Sequence, residues 1–256
     1  MKRLRVSGLA AVLLAGLVVM NATSFAKERT PKVIAKGAQI GVVNLLKAEV
    51  MHYHAARESA DSFLKIQPVS WPVDDMLASA LKDPLEQLGL TPVPMAATDA
   101  LEHVRESCFV NAKLTDGLPK NCAGPLIDQA SSAGVSYLIV LAPGLNDPDH
   151  AGSYRVAEVT SAMRGWGFLT SQRAGAKDKP ALFNEVELLL ISVSPEGATL
   201  YARQWGGMYK SQWETYSLPA DLKQIPAEQL DELQPLFATL LARQARGLLE
   251  QVHGEP

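Results

Sequence analysis

His52-Tyr53-His54 is the spacing in this chain with a clear chemical option. Residues two apart on an extended strand point to the same side, so both imidazoles would meet one metal ion. Glu49 and Glu58 stand near enough in sequence to complete such a site. Zinc takes three or four protein ligands, so two histidines alone are an incomplete set. The pair therefore reads either as a metal site or as two neighbouring histidines on a strand.

A second constellation is aromatic. Trp205, Tyr209, Trp213 and Tyr216 are interleaved with Arg203, Lys210 and glycines. Such a set can stack sugar rings or anchor a protein partner, because Trp and Tyr offer a large apolar area with a polar tip. It can equally cap a sheet and pack on the last helix. Asp74-Asp75 resembles a carboxylate pair, but its place at a helix start makes it an answer to the helix dipole. Ser136 lies in Gly134-Val135-Ser136-Tyr137-Leu138, which lacks the second glycine of a nucleophile elbow. Phosphate-loop, dinucleotide-loop, zinc-protease and haem-attachment motifs are absent from the sequence. No catalytic residue and no cofactor are expected.

The elements that would position these residues centre on 134–144. Residues 137–142 are apolar or aromatic without a break, Gly134 opens the run, and Pro143-Gly144 closes it. That pattern predicts a strand buried on both faces, with helices above and below. Residues 39–46 form the first strand, and 50–54 either extend it or pair beside it. Residues 55–67 read as helix by their Ala, Arg and Glu content and as a long connection by their position. Trp71-Pro72-Val73-Asp74-Asp75 opens a helix that Gly89 stops, with a kink or break near 82–83 because of Pro84. Residues 90–95 carry Pro92 and Pro94, which limit them to an edge strand or to the first residue of a strand. A short helix starts at Thr98-Asp99, and another runs over 126–132 after Gly124-Pro125. Residues 153–159 alternate like a strand, and 164–184 read as an irregular excursion, glycine-rich and cationic over 164–179. Residues 185–193 and 198–205 form an antiparallel hairpin around Ser194-Pro195-Glu196-Gly197. A leucine stripe marks the final helix, starting at Pro226 and interrupted by Pro235. The expected fold is α/β (α+β), a mixed sheet with a central buried strand and helices packed on it.

Met1-Lys2-Arg3-Leu4-Arg5, the apolar residues 6–20 and the small residues Ser24 and Ala26 have the layout of a secretory signal cleaved after Ala26. The apolar run is shorter than the ~20 residues that span a bilayer. Cleavage leaves residues 27–256 as a single domain of periplasmic or secreted location, with no further spanning stretch. It removes three cations and no acid, moving the net charge from −3 to −6. That sign excludes a nucleic-acid surface. Cys108 and Cys122 are then an even pair in an oxidising compartment and are expected to form a disulfide closing the loop 108–122.

The order strand, helix, strand, helix, buried strand, hairpin, terminal helix resembles a known envelope domain. It is similar to the small α/β domain at the amino terminus of the translocation protein TolB and in the curli-secretion lipoprotein CsgG. The matching pieces are residues 40–46, the helix around 77–88, Ala133-Gly134-Val135-Ser136-Tyr137-Leu138-Ile139-Val140, and the hairpin over 186–205, with Val193-Ser194-Pro195-Glu196-Gly197-Ala198-Thr199-Leu200-Tyr201 at its turn. The resemblance implies a cell-envelope role through protein–protein contact and no chemistry. The expectation is a non-enzymatic binding or assembly module whose partner is an envelope protein or peptidoglycan. Two rivals stand beside it: a metal-dependent envelope hydrolase using His52 and His54, and a peptidoglycan-binding module using Trp205 and Trp213.

Overall fold

The computed structural model describes residues 32–56, 58, 61–105, 108, 118, 120–144, 164–171, 180–206 and 208–254. The signal segment 1–26, the strand expected over 153–159 and most of the loop between the cysteines lie outside them.

The chain enters through strand β1 (Lys32–Ile34), then β2 (Gln39–Asn44), β3 (Glu49–Ala55) and β4 (Phe63–Pro68). Helix α1 (Val73–Gln87), β5 (Thr91–Met95), α2 (Asp99–Val104) and α3 (Lys120–Ala133) lead to the central strand β6 (Tyr137–Pro143). There follow β7 (Gly165–Ser171), β8 (Ala181–Ser194), β9 (Gly197–Trp205), β10 (Met208–Gln212), α4 (Ala227–Asp231), α5 (Gln234–Leu249) and β11 (Val252–Gly254).

Among the described residues nine of these strands form one mixed sheet, and β1 pairs with β11 apart from it. The sheet is best understood as two halves that share β8. In the first half the order is β5-β2-β6-β8-β9, and in the second it is β4-β3-β7-β8-β10. Three strands of the first half are followed in sequence by the strand holding the same place in the second: β2 by β3, β6 by β7, and β9 by β10, whereas β4 precedes β5. The two halves of this curled sheet therefore meet at one crease, which β8 crosses as a single strand. The crease crosses residues 45–48, Glu185–Glu187 and Gly206. At Gly144 its backbone N–H donates to the Glu185 carbonyl at 2.7 Å, and a Cβ there would stand 2.7 Å from that same oxygen.

Strand β6 divides its side chains between two cores, as period-2 alternation requires. Ile139 and Leu141 join Ile40, Leu188 and Leu190 beneath α1 and α5, whose Leu77, Leu81, Phe237 and Leu241 complete the layer. Leu138, Val140 and Ala142 face the other way, toward Leu101 and Val104 of α2 and Leu126 and Ala130 of α3. All five residues are fully buried. This is the α/β class expected, a mixed sheet with helices packed against it. The Cys108 and Cys122 sulfurs lie 2.01 Å apart, so the expected disulfide is present and ties the start of α3 to the residues after α2.

Four local expectations are corrected. Residues 63–68 form strand β4 rather than helix or connection, paired antiparallel to β3 from Phe63↔His54 to Pro68↔Glu49. The excursion 164–184 contains β7 and the start of β8, because Trp166 and Phe168 alternate with Gly165 and Gly167 and carry the core on one face. Helix α1 runs unbroken through Pro84, held by the buried face of Leu77, Leu81 and Leu85. Helix α3 begins at Lys120, four residues before Gly124, where Cys122 and Ala123 are already buried. The edge position of β5 and the 185–205 hairpin agree with expectation.

Candidate functional site

Strand β3 places His52 and His54 on one face, as their spacing demands, and Glu49 falls on the other. Each ring reaches the same hydroxyl on the neighbouring strand β7: His52 Nε2 and His54 Nδ1 both lie 2.8 Å from Thr170 Oγ1. One hydroxyl has one proton, so the neutral arrangement has Thr170 donating to one ring while the other ring N–H donates to Thr170. Aromatic side chains enclose the pair. His52 stacks on Phe168 with ring centres 4.4 Å apart, and His54 stacks on Phe63 at 5.1 Å. His52 is 0 % and His54 3 % exposed. Burial lowers the His52 pKa from 6.5 to about 4, with a further push from His54, and burial also lowers that of His54. Glu58 is exposed on the β3–β4 connection. Among the described residues no group of three His, Cys, Asp or Glu side chains is arranged to hold a metal. The pair is thus a sealed histidine couple bridged by Thr170. The sequence did not single out Thr170, because the contact spans more than a hundred residues.

The aromatic set is dispersed. Trp213 is 1 % exposed. It packs edge-on against Phe168 at 5.2 Å and against Tyr216 at 5.1 Å, and so belongs to the core. Trp205 is half-buried at the crease, where its indole N–H donates to Glu185 Oε2 at 3.0 Å. Burial raises the Glu185 pKa, and that hydrogen bond opposes the rise. Beside it Glu187, fully buried, meets the Arg203 guanidinium at 3.0 Å. Tyr209 lies on β10, whose side chains are outside the description. Trp205 and Trp213 occupy separate places, so they do not form the joint stacking surface that a sugar site would use.

Among the described residues an open cleft of about 300 Å³ lies between α1 and the edge strand β5, beside the end of β2. Leu77, Ala78 and Leu81 of α1 form one wall, Pro92, Pro94 and Met95 of β5 the other, and Val42 the floor. Asn44 and Asp74 are its polar lining. Both also line an adjoining cleft beside Trp71 and Asp75. The position follows from topology. Strands β2, β5 and β6 run parallel, and a ligand groove forms at the carboxyl ends of parallel strands. Asn44 is the last residue of β2, and its side-chain oxygen accepts the Leu46 N–H at 2.8 Å. Asp74 and Asp75 lie in the first turn of α1, where the dipole favours them, but no side chain caps that helix. The prolines signalled an edge in the sequence; the groove they form with α1 was not visible there.

No family model matches this chain, and no curated protein or solved structure is similar to it beyond chance. The reading therefore rests on the geometry. Among the described residues no helix is long and apolar enough to cross a membrane.

Proposed function

We propose that the chain is an exported, non-enzymatic binding module that takes an apolar stretch of a partner polypeptide in the α1–β5 cleft. The observation that carries this reading is the cleft itself: an open groove with apolar walls and two polar groups. Such a groove binds by removing apolar area from water while a few polar groups set orientation. The basic, then apolar, then small-residue opening of the sequence supports export. The resemblance to the TolB and CsgG domains favours a cell-envelope partner. The hydrolase rival loses support because the histidines are sealed and Glu49 faces away. The sugar-binding rival loses support because Trp213 is core.

Ala78 is exposed on the cleft wall, so Ala78→Trp should fill the groove without disturbing the core. The test is affinity capture from envelope extract with the purified chain and with this variant. A discrete polypeptide retained by the native chain and lost from an equally stable Ala78→Trp variant is the expected result. Identical capture by both, or retention of glycan alone, would overturn the proposal.

A further inference from the structure

The binding cleft makes no use of the histidine couple, and the couple has a cover. Residues 213–225, an irregular segment between β10 and α4, lie over this face of the sheet. Trp213 and Tyr216 pack on Phe168. The Leu222 carbonyl lies beside the His52 ring, whose Nδ1 makes no hydrogen bond; the carbonyl favours the charged ring, and burial together with His54 outweighs it. Lys65, opposite His52 on β4, donates from Nζ to the Lys223 carbonyl. Lys223 Nζ in turn sits 5.4 Å from the centre of the Phe63 ring. Between these contacts the Gln229 side-chain amide donates to the Ser217 carbonyl and hydroxyl at 3.0 Å, and Leu218 beside it is 77 % exposed.

Outside the couple, the charge that bears on His52 is that of Lys65. Lys65 comes from β4 and Lys223 from the cover. The Asp221 carboxylate accepts the Lys223 backbone N–H at 2.8 Å. Glu232 is taken by Trp213 and Thr215. Glu58 and Asp61 are exposed in the β3–β4 connection, and Glu49 is on the opposite face. None of these carboxylates forms an ion pair with either ring. Thr170 can absorb one extra ring N–H by turning its own proton to the Tyr53 carbonyl, 3.5 Å away. It cannot supply countercharge. A second imidazolium would face the first across 6.4 Å between ring centres, inside an aromatic enclosure.

We propose that His52 and His54 form an acid-operated latch: neutral, they seat residues 214–224 on the sheet; charged, they drive that segment off and uncover Phe63, Phe168 and Trp213. The lowered pKa of both rings agrees with this direction. Acid is the trigger, and the response is local because Trp213 and Ile225, buried in the main core, anchor the two ends of the segment.

Amide hydrogen exchange by mass spectrometry on the whole chain, followed from near neutral pH down to about pH 4, reads the latch directly. After correction for intrinsic rates, residues 214–224 should open roughly tenfold more for each pH unit per proton taken up, before strand β6 loses protection. His52→Phe/His54→Phe should hold the segment closed across the same range. If that variant does not fold at neutral pH, Thr170→Val serves instead. It removes the shared hydroxyl, and the opening should move to higher pH. Opening in step with β6, or an unchanged pH profile in whichever variant folds, would overturn the proposal.

Discussion

Replacing Gly144 by alanine tests the crease. Gly144 is buried, and its φ is not positive, so alanine suits its backbone conformation. The cost is therefore steric. The new Cβ would stand 2.7 Å from the Glu185 carbonyl oxygen and 2.9 Å from its carbon, both backbone atoms of the shared strand β8. Neither can rotate away. Relief requires the end of β6 to leave β8, which breaks the 2.7 Å bond from Gly144 N–H to Glu185 O. Overpacking costs ~1–3 kcal/mol, and a net hydrogen bond adds ~0.5–1.5 kcal/mol. A loss of roughly 2–4 kcal/mol is expected. Two controls bracket it. Gly197 at the hairpin turn has open space around it, so Gly197→Ala should stay within about 0.5 kcal/mol of the native chain. Gly124 lies inside α3 with nothing near its Cβ position, so Gly124→Ala should stabilise by about 0.5–1 kcal/mol. Urea unfolding followed by tryptophan fluorescence under oxidising conditions measures all three. A Gly144→Ala chain as stable as the Gly197→Ala control would refute the bent-strand reasoning.

Trp213→Ala should cost about 3–5 kcal/mol as a core truncation, whereas the half-buried Trp205→Ala should cost clearly less. Thermal melts that rank the two the other way would return Trp213 to the surface. Cys108→Ser/Cys122→Ser removes a cross-link with a sequence separation of 14 and should lower stability by roughly 3 kcal/mol in the chain-entropy view. A loss near zero in urea titrations would mean that the helices hold that corner unaided. The sign of the acid response is fixed by His52, whose folded pKa of about 4 lies below its ordinary 6.5. Its contribution is complete above pH 6.5 and is lost as pH falls through this window. Since one pKa unit is ~1.4 kcal/mol, the loss is at most about 3 kcal/mol. Against the native chain, His52→Phe should flatten the fall in unfolding free energy between those pH values; an unaltered slope would remove His52 from the account.

How much of this was legible depended on whether burial or neighbours decided each element. Residues 137–142 announce β6 because a strand covered on both faces is apolar throughout. The hairpin is equally plain, since Pro195-Glu196-Gly197 can only turn. Strand β7 hides behind its glycines. Gly167 reads as loop, yet a Cβ there would lie 2.2 Å from both the Phe183 ring and the Met51 carbonyl, so the strand requires glycine to fit between β3 and β8. Strand β4 hides because its polarity is inverted: Lys65 and Gln67 share the inner face with Phe63, while Leu64 and Ile66 are 41 % and 48 % exposed. For the site, the period of two put His52 and His54 together from sequence alone. Thr170 and the cleft walls required long-range packing that no local pattern encodes.

The β5 end of the sheet shows which kind of recognition the cleft allows. Strand β5 is an edge, and exposed edges recruit other strands through unpaired N–H and C=O groups. Its register prevents this. The Thr91 N–H donates inward to the Ala38 carbonyl at 3.0 Å. Successive amides of a strand point to opposite sides, so positions 93 and 95 also face β2, and positions 92 and 94 face outward. Both outward positions are proline and have no N–H to offer. A partner therefore gains no amide donors from this edge over Pro92–Pro94, only carbonyl acceptors, and main-chain pairing there is limited to the bonds the partner itself donates. What remains for binding is apolar contact with Leu77, Leu81, Pro92, Pro94 and Met95, oriented by Asn44 and Asp74. Recognition of that kind reads side chains, so a partner would be selected by sequence rather than by an extended backbone alone.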